Sequence, residues 1–310
     1  MCPHCTSKKT KKNGKLGGIQ RYKCSSCNSY FSSKRRPDKL QEIIFKKYIY
    51  KRQTLSDLAE EYKKSSRWVQ KQIFEYEPNI KYHKPRAIVL ICDATFYGKR
   101  KDKLGTLVFK DDITKEILLS KHIQSELSAD YKLLLNQLLE LGYTVLSVTI
   151  DGKRGLQKVF KDFPLQMCHF HQAKTVRRYI TKRPRLQAGK DLKKIMYRLT
   201  QTNEKKFTKK LDEWYETYKN FIEEKSINND TGKSYYTHQK VRAAYRSLRA
   251  NLSYLFTRNK YKNFKIPNTT NTLDGGTFSP LKILIKIHRG LSKSLKLKMV
   301  DDYLLNYKKK

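Results

Sequence analysis

The chain has 310 residues, and its 68 Lys and Arg stand against 28 Asp and Glu for a formal charge of +40. Such an excess repels itself unless a polyanion neutralises it, so the first expectation is a nucleic-acid partner. No apolar run approaches the roughly 18 residues of a membrane-spanning helix and no charged-then-apolar leader opens the chain, so the expected setting is cytoplasmic, with no membrane partner.

Residues 1 to 36 are polar and too poor in apolar side chains to fold around a core, so something else must staple them. Four of the six cysteines crowd here as Cys2, Cys5, Cys24 and Cys27. In a reducing compartment two Cys-x-x-Cys knuckles indicate a metal rather than disulfides, and four thiolates at tetrahedral corners are what structural zinc takes. The 18 residues from Thr6 to Lys23, with Gly17 and Gly18 among them, suit a β-hairpin between the knuckles. A four-cysteine site is closed, so the expected zinc folds the module and does no catalysis; His4, inside the first knuckle, is the inferior ligand candidate. Basic residues around the ribbon, Arg35 and Arg36 included, are candidates for phosphate contact.

Residues 37 to 76 change character. Leu40, Ile44, Tyr48, Leu58, Tyr62, Val69 and Ile73 fall at helical spacings and predict three short helices. Thr54 and Asp57 have the spacing of a capping box, and a turn at Lys63-Lys64-Ser65 leads into a second helix from Ser66 to Glu75. With Trp68, Val69 and Ile73 facing inward, Arg67, Gln70 and Lys71 face outward, where Arg and Gln can reach base edges and Lys a phosphate. This is the order of a DNA-reading helix-turn-helix.

Residues 77 to 86, with Pro78 and Pro85 and no periodicity, read as a linker. From Ala87 the pattern is α/β: a continuous apolar strand through Cys92, a strand pair at Leu104 to Phe109 and Glu116 to Ile123 joined by a polar turn from Lys110 to Lys115, a helix from Ser128 to Leu141 stopped at Gly142, and an apolar strand from Thr144 to Ile150. Residues 87 to 174 form the first part of this core, residues 175 to 266 a wholly helical insertion, and residues 267 to 310 the last part, with two closing helices near Thr277 to His288 and Ser292 to Tyr307.

Asp93 ends the first buried strand and Asp151 follows the later one, so neighbouring placement would bring their carboxylates together. Two divalent metals about 3.5–4 Å apart, held by such hard oxygens, activate an attacking oxygen and stabilise a leaving one in phosphodiester chemistry; magnesium, or manganese in its place, is the expected ion. By spacing alone Asp274, at the glycine-bearing entry to a late helix, is either a cap or a third ligand.

Five stretches extend the reading: Cys2-Pro3-His4-Cys5 with Tyr22 to Cys27; Cys92-Asp93-Ala94-Thr95; Ile150-Asp151-Gly152; Cys168-His169-Phe170-His171; and Asn268 to Gly276 followed by His288-Arg289-Gly290-Leu291. In this order the chain resembles the zinc-ribbon variant of the Mutator-like bacterial insertion-sequence transposases. The resemblance implies a ribonuclease H-like core interrupted by the helical insertion, strand cleavage and strand transfer at transposon ends, and a metal-binding triad of Asp93, Asp151 and Asp274. It implies double-stranded DNA partners, both terminal repeats and target, and a homo-oligomer of at least two chains to pair two ends. Arg289 joins the DNA-contact candidates; Cys168, His171 and Asn271 are supporting residues beside the acids, although two ligands make no zinc site and Cys168 and His171 read first as a buried thiol and a packed imidazole. The family's third acid is glutamate in Asn-x-x-Glu, where this chain has Asn271-Thr272-Leu273-Asp274. That shorter acid keeps an alternative open, a catalytically inactive relative acting as a DNA-binding regulator.

Overall fold

The computed structural model describes residues 1–32, 39–79, 84–98 and 102–306. It falls into two compact units, Met1–Glu77 and Pro78–Lys310. In the first, strands β1 (Thr10–Leu16), β2 (Ile19–Cys24) and β3 (Tyr30–Ser32) form an antiparallel sheet in that order. Gly17 and Gly18 turn β1 into β2 with φ of +54° and +79°, the doubly positive pair that a tight hairpin asks for and that side chains resist. Nearly all of β1 is exposed, in keeping with a module too small for a core.

Three helices follow, α1 (Leu40–Tyr50), α2 (Leu55–Tyr62) and α3 (Ser66–Glu75). Their shared interior is Ile44, Phe45 and Ile49 from α1, Leu58 from α2, and Val69 and Ile73 from α3. The capping box is present: the Asp57 amide donates to Thr54 Oγ1 (3.1 Å) and the Thr54 amide to Asp57 Oδ2 (2.8 Å). Such a cap contributes about 1 kcal/mol to holding the start of α2. Lys63 in the left-handed region and Ser65 as the next cap then make the turn into α3.

The second unit is α/β. Its elements in order are β4 (Ala87–Tyr97), β5 (Leu104–Asp111), β6 (Ile117–Ile123), α4 (Ser128–Glu140), β7 (Thr144–Ile150), α5 (Leu156–Val159), β8 (Leu165–Met167), α6 (His169–Ile180), α7 (Gln187–Tyr197), α8 (Glu204–Glu223), β9 (Lys225–Ile227), β10 (Ser234–Tyr236), α9 (Gln239–Ala250), α10 (Leu252–Leu255), α11 (Thr257–Lys260), α12 (Asn271–Leu273), a π-helical turn Asp274–Phe278, α13 (Ser279–Ile287) and α14 (Lys293–Leu305). The mixed sheet has the order β6-β5-β4-β7-β8. β4, β5 and β6 are antiparallel neighbours, while β7 runs parallel to β4 and β8 to β7.

The two sheet faces differ chemically, because alternate residues of a strand point opposite ways. Ile88, Leu90, Cys92, Leu107, Phe109, Val148 and Ile150 pack with Tyr131, Leu134, Leu138, Leu156 and Phe160 into an apolar core beneath α4 and α5. The intervening positions include Asp93, Lys110, Ser147 and Thr149, all buried yet polar. On that side Lys110 Nζ donates to the Thr272 carbonyl (2.9 Å) and to Thr277 Oγ1 (3.2 Å), and Thr149 Oγ1 donates to the Pro267 carbonyl (3.1 Å). The late segment carrying Asp274 is therefore pinned across β5 and β7.

Four expectations need correction. Asp93 does not end its strand, since β4 continues to Tyr97. The polar stretch after Phe109 is not all turn: Lys110 and Asp111 extend β5 and are buried, Lys110 satisfied by the late segment and Asp111 by Arg86 Nη2 (3.0 Å) and the Ile113 amide (3.0 Å). The segment after Met167 turns helical at His169 rather than near Thr175. The insertion is not wholly helical either, because β9 and β10 pair as an antiparallel hairpin between α8 and α9. That hairpin is mostly exposed and so leaves no apolar periodicity to read.

The helical part has its own interior, with Val176, Leu192, Phe207, Leu211, Trp214, Ala244 and Leu248 at its centre. It is tied to the sheet at β8, where Gln166 Nε2 donates to the Leu255 carbonyl (2.9 Å) and Thr257 Oγ1 to the Leu165 carbonyl (2.6 Å). Among the described residues no helix is long and apolar enough to cross a membrane.

Candidate active site and zinc site

In the first unit the sulfurs of Cys2 and Cys27, and of Cys5 and Cys24, lie 3.6 Å apart, and all four are within 4.8 Å of one another. A disulfide needs about 2.05 Å. Tetrahedral zinc with bonds of about 2.3 Å spreads its sulfurs by about 3.8 Å, so the four fit the ion. The first knuckle is shaped by backbone bonds, the Cys2 amide to the Ser7 carbonyl and the Thr6 amide to the Cys2 carbonyl. The Ser29 hydroxyl and amide draw Cys27 down to about 6, while, against the Ser7 amide, the neighbouring cysteines and burial push Cys5 up to about 12, so without a metal the sulfurs share their protons unequally. The His4 amide donates to Cys2 Sγ (3.4 Å), so His4 helps through its backbone.

Arg67, Gln70 and Lys71 are all exposed on α3 and, with Ser65, Trp68 and Phe74, line one shallow groove. Arg35 and Arg36 lie outside the described residues.

In the second unit the sheet register aligns the first two acids. Ile91 pairs with Thr149 across the parallel strands, and Asp93 and Asp151 each lie two residues further on. The late segment brings Asp274 to the same place. Ligand atoms of Asp93, His171 and Asp274 lie within 4.8 Å of one another. Asp151 is outside that trio, yet its charge reaches Asp93. Of the three expected aspartates, Asp93 and Asp274 lie together, with His171 in the place expected for Asp151, which is outside this closest set. Asp151 Oδ1 accepts from the Lys153 amide (2.9 Å), and Lys153 Nζ pairs with Glu126 (3.1 Å).

Asp93 is buried; its Oδ1 accepts from the Ala94 amide (2.8 Å), while Oδ2 has no hydrogen-bond partner. Burial, then the charges of Asp274 and Asp151, push its carboxyl well above the usual range, with His171 pulling the other way. Burial also raises Asp151, against the Lys153 amide and with the Glu126 charge. For His171 burial works against protonation, but the Cys168 sulfur and the charges of Asp93 and Asp274 prevail and lift it to about 9. A protonated His171 is thus the counter-charge inside a group of carboxylates.

Thr270 holds this cluster together. Fully buried, it donates from Oγ1 to Asp274 Oδ2 (3.0 Å), lies 3.4 Å from His171 Nδ1, and gives its amide to Cys168 Sγ (3.4 Å). The fold adds Thr270 and Lys110 to the residues read from sequence. Asn271 is exposed at the first position of α12, and Arg289 is exposed in the turn after α13.

Gly152, directly after Asp151, has φ of +87°, and a Cβ there would come within 2.1 Å of Met167 Cε. Left-handed backbone costs a side-chain-bearing residue about 1–2 kcal/mol before any clash. Gly152→Ala is expected to lower the thermal midpoint by several degrees, as scanning calorimetry would record; an unchanged midpoint would remove the claim that Gly152 fixes the Asp151 turn. The chain matches no model of a known protein family and no curated protein.

Proposed function

We propose that this chain is a transposase: a DNA-binding enzyme that cuts and rejoins DNA strands at the ends of a mobile element. The observation carrying the proposal is Asp93, a buried carboxylate with one oxygen lacking any donor, facing Asp274 and His171 with Asp151 in reach. Clustered carboxylates on the polar face of a sheet, in a chain of charge +40, suit a cation on one side and a polyanion on the other. The mixed five-stranded sheet, with its first acid on the central strand, supports a ribonuclease H-like reading of the core.

Asp93 and Asp274 would hold divalent metal, with Asp151 completing the set and His171 giving up its proton as the ion takes over its counter-charge. Bound there, the ion supplies Lewis-acid stabilisation of a phosphodiester under attack. The polar sheet face and the pinned late segment keep the carboxylates in place before DNA arrives, which lowers the cost of organising them during reaction. In the first step water attacks a phosphodiester at the element's end and frees a 3'-hydroxyl. In the second that hydroxyl attacks target DNA, one phosphodiester forming as another breaks. The exposed face of α3 would read the ends, and at least two chains would pair them.

The test is a supercoiled plasmid carrying the DNA that flanks this gene, incubated with the full chain with and without magnesium or manganese. Metal-dependent nicks with 3'-hydroxyl ends are expected. DNA retarded in a gel but left intact with either metal would support the inactive regulator instead.

A further inference from the structure

The helical insertion contains a cleft of about 600 Å³ between α7 and α8, well apart in sequence from the acids. Its accessible apolar wall is formed by half-buried Ile195 and Tyr218, with Phe207 and Trp214, almost wholly buried in the helical interior, closing the floor behind them. The wall is held rigid: Trp214 Nε1 donates to the Ala188 carbonyl (2.9 Å), its ring stacks on Tyr245 at 5.2 Å, and the Tyr218 hydroxyl donates to Asp191 (2.8 Å). The rim is cationic. Two rim lysines are already paired, Lys194 with Asp191 (2.9 Å) and Lys210 with Glu213 (2.8 Å). Arg198, Lys206 and Lys209 line the same cleft, are exposed, and form no ion pair within 4 Å among the described residues, the charge of Lys209 reaching Glu213 only at longer range.

An apolar wall beneath unpaired cations matches a ligand that is flat and apolar at one end and anionic at the other. We infer that the cleft between α7 and α8 binds one unstacked nucleotide of a DNA strand, the base against the apolar wall and the phosphate at Arg198, Lys206 and Lys209. A purely anionic ligand would leave the wall unused, and an apolar one would leave the cations unneutralised. Residues 175–266 contain 24 Lys and Arg against 8 Asp and Glu, so the surrounding surface also favours a strand that continues beyond the cleft. Its lining shares no residue with the groove on α3 or with the acids, and the inference stands whether or not the core cuts DNA.

The two tryptophans are Trp68 and Trp214. In a full-length Trp68→Phe chain, Trp214 emission reports the cleft alone. Titration with deoxyadenosine 5'-monophosphate should give a saturable change, and deoxyribose 5-phosphate should bind about tenfold more weakly, the order of one base's contact with apolar and aromatic groups. The double charge reversal Arg198→Glu with Lys206→Glu should weaken the nucleotide by at least about tenfold. Lys219→Glu, exposed on α8 outside the cleft, should change affinity by less than about twofold. Equal binding of the base-free sugar phosphate would reduce the cleft to an anion site and overturn the inference. So would equal losses in the cleft and Lys219 variants, no saturable response, or tighter binding of an acidic peptide than of the nucleotide.

Discussion

Asp93→Asn is expected to reduce metal-dependent strand cleavage by at least about a thousandfold while making the metal-free protein harder to melt. The first effect follows from removing the metal ligand proposed for Asp93, because the several kcal/mol of charge stabilisation that metals supply correspond to about tenfold in rate for each 1.4 kcal/mol. The second follows from burial. Asp93 carries one oxygen with no donor and is repelled by Asp274 and Asp151, whereas a neutral amide removes the charge and brings a donor to the same place. A gain of about 1–2 kcal/mol, or a few degrees in a thermal melt, is the expected size. Magnesium or manganese should raise the melting temperature of the unaltered chain and leave that of the variant in place. Asp274→Asn should also abolish cutting, since the amide keeps the shape and still accepts the Thr270 hydroxyl but weakens the proposed metal site, while Asp274→Glu should retain some activity. Near-normal cutting by both Asn variants, with intact DNA retardation, would exclude this cluster as the reaction centre.

Cys24→Ser should take zinc content from one ion per chain to almost none and unfold the ribbon, while the second unit keeps its own melting transition. Cys24 is fully buried, its sulfur is 3.6 Å from that of Cys5, and its amide donates a hydrogen bond to the Ser29 carbonyl (2.9 Å) at the end of β2. With β1 mostly exposed, the ribbon has little apolar burial to fall back on. Structural zinc supplies about 10–16 kcal/mol to modules of this kind, so losing one thiolate is decisive. His4→Ala should keep its zinc, because His4 contributes only an amide. Elemental analysis after dialysis checks both; metal retained by the Cys24 variant would contradict the four-thiolate assignment.

The four-cysteine cluster and the helix caps were legible because each is set by a short spacing. Cys2, Cys5, Cys24 and Cys27 need only the right intervals, and Thr54 with Asp57 only three residues. The alignment of Asp93 with Asp151 was half legible: both follow apolar runs, but that β4 continues to Tyr97 depends on its antiparallel partner β5. Lys110 looked like a turn residue because its acceptors lie more than 160 residues away at Thr272 and Thr277. His171 was undervalued for a related reason. A lone Cys-x-x-His offers two ligands, and the atoms that complete its surroundings belong to Asp93 on one strand and Thr270 and Asp274 on a distant segment. Local chemistry is written in neighbouring letters, while a cluster assembled across the fold is not.

The pinning of the Asp274 segment across β5 and β7 also sets a timetable. During synthesis Asp151 leaves the ribosome well before Asp274, and at about 5–20 residues per second the stretch between them takes roughly 6–25 s to make. Throughout that interval the growing chain already has its four-cysteine module, its first three helices and two of its acids, but Thr270, Asp274 and the acceptors for Lys110 do not yet exist. If the chain binds and cuts DNA as proposed, a newly made copy can therefore engage DNA near the place of its own translation before it is able to cut it.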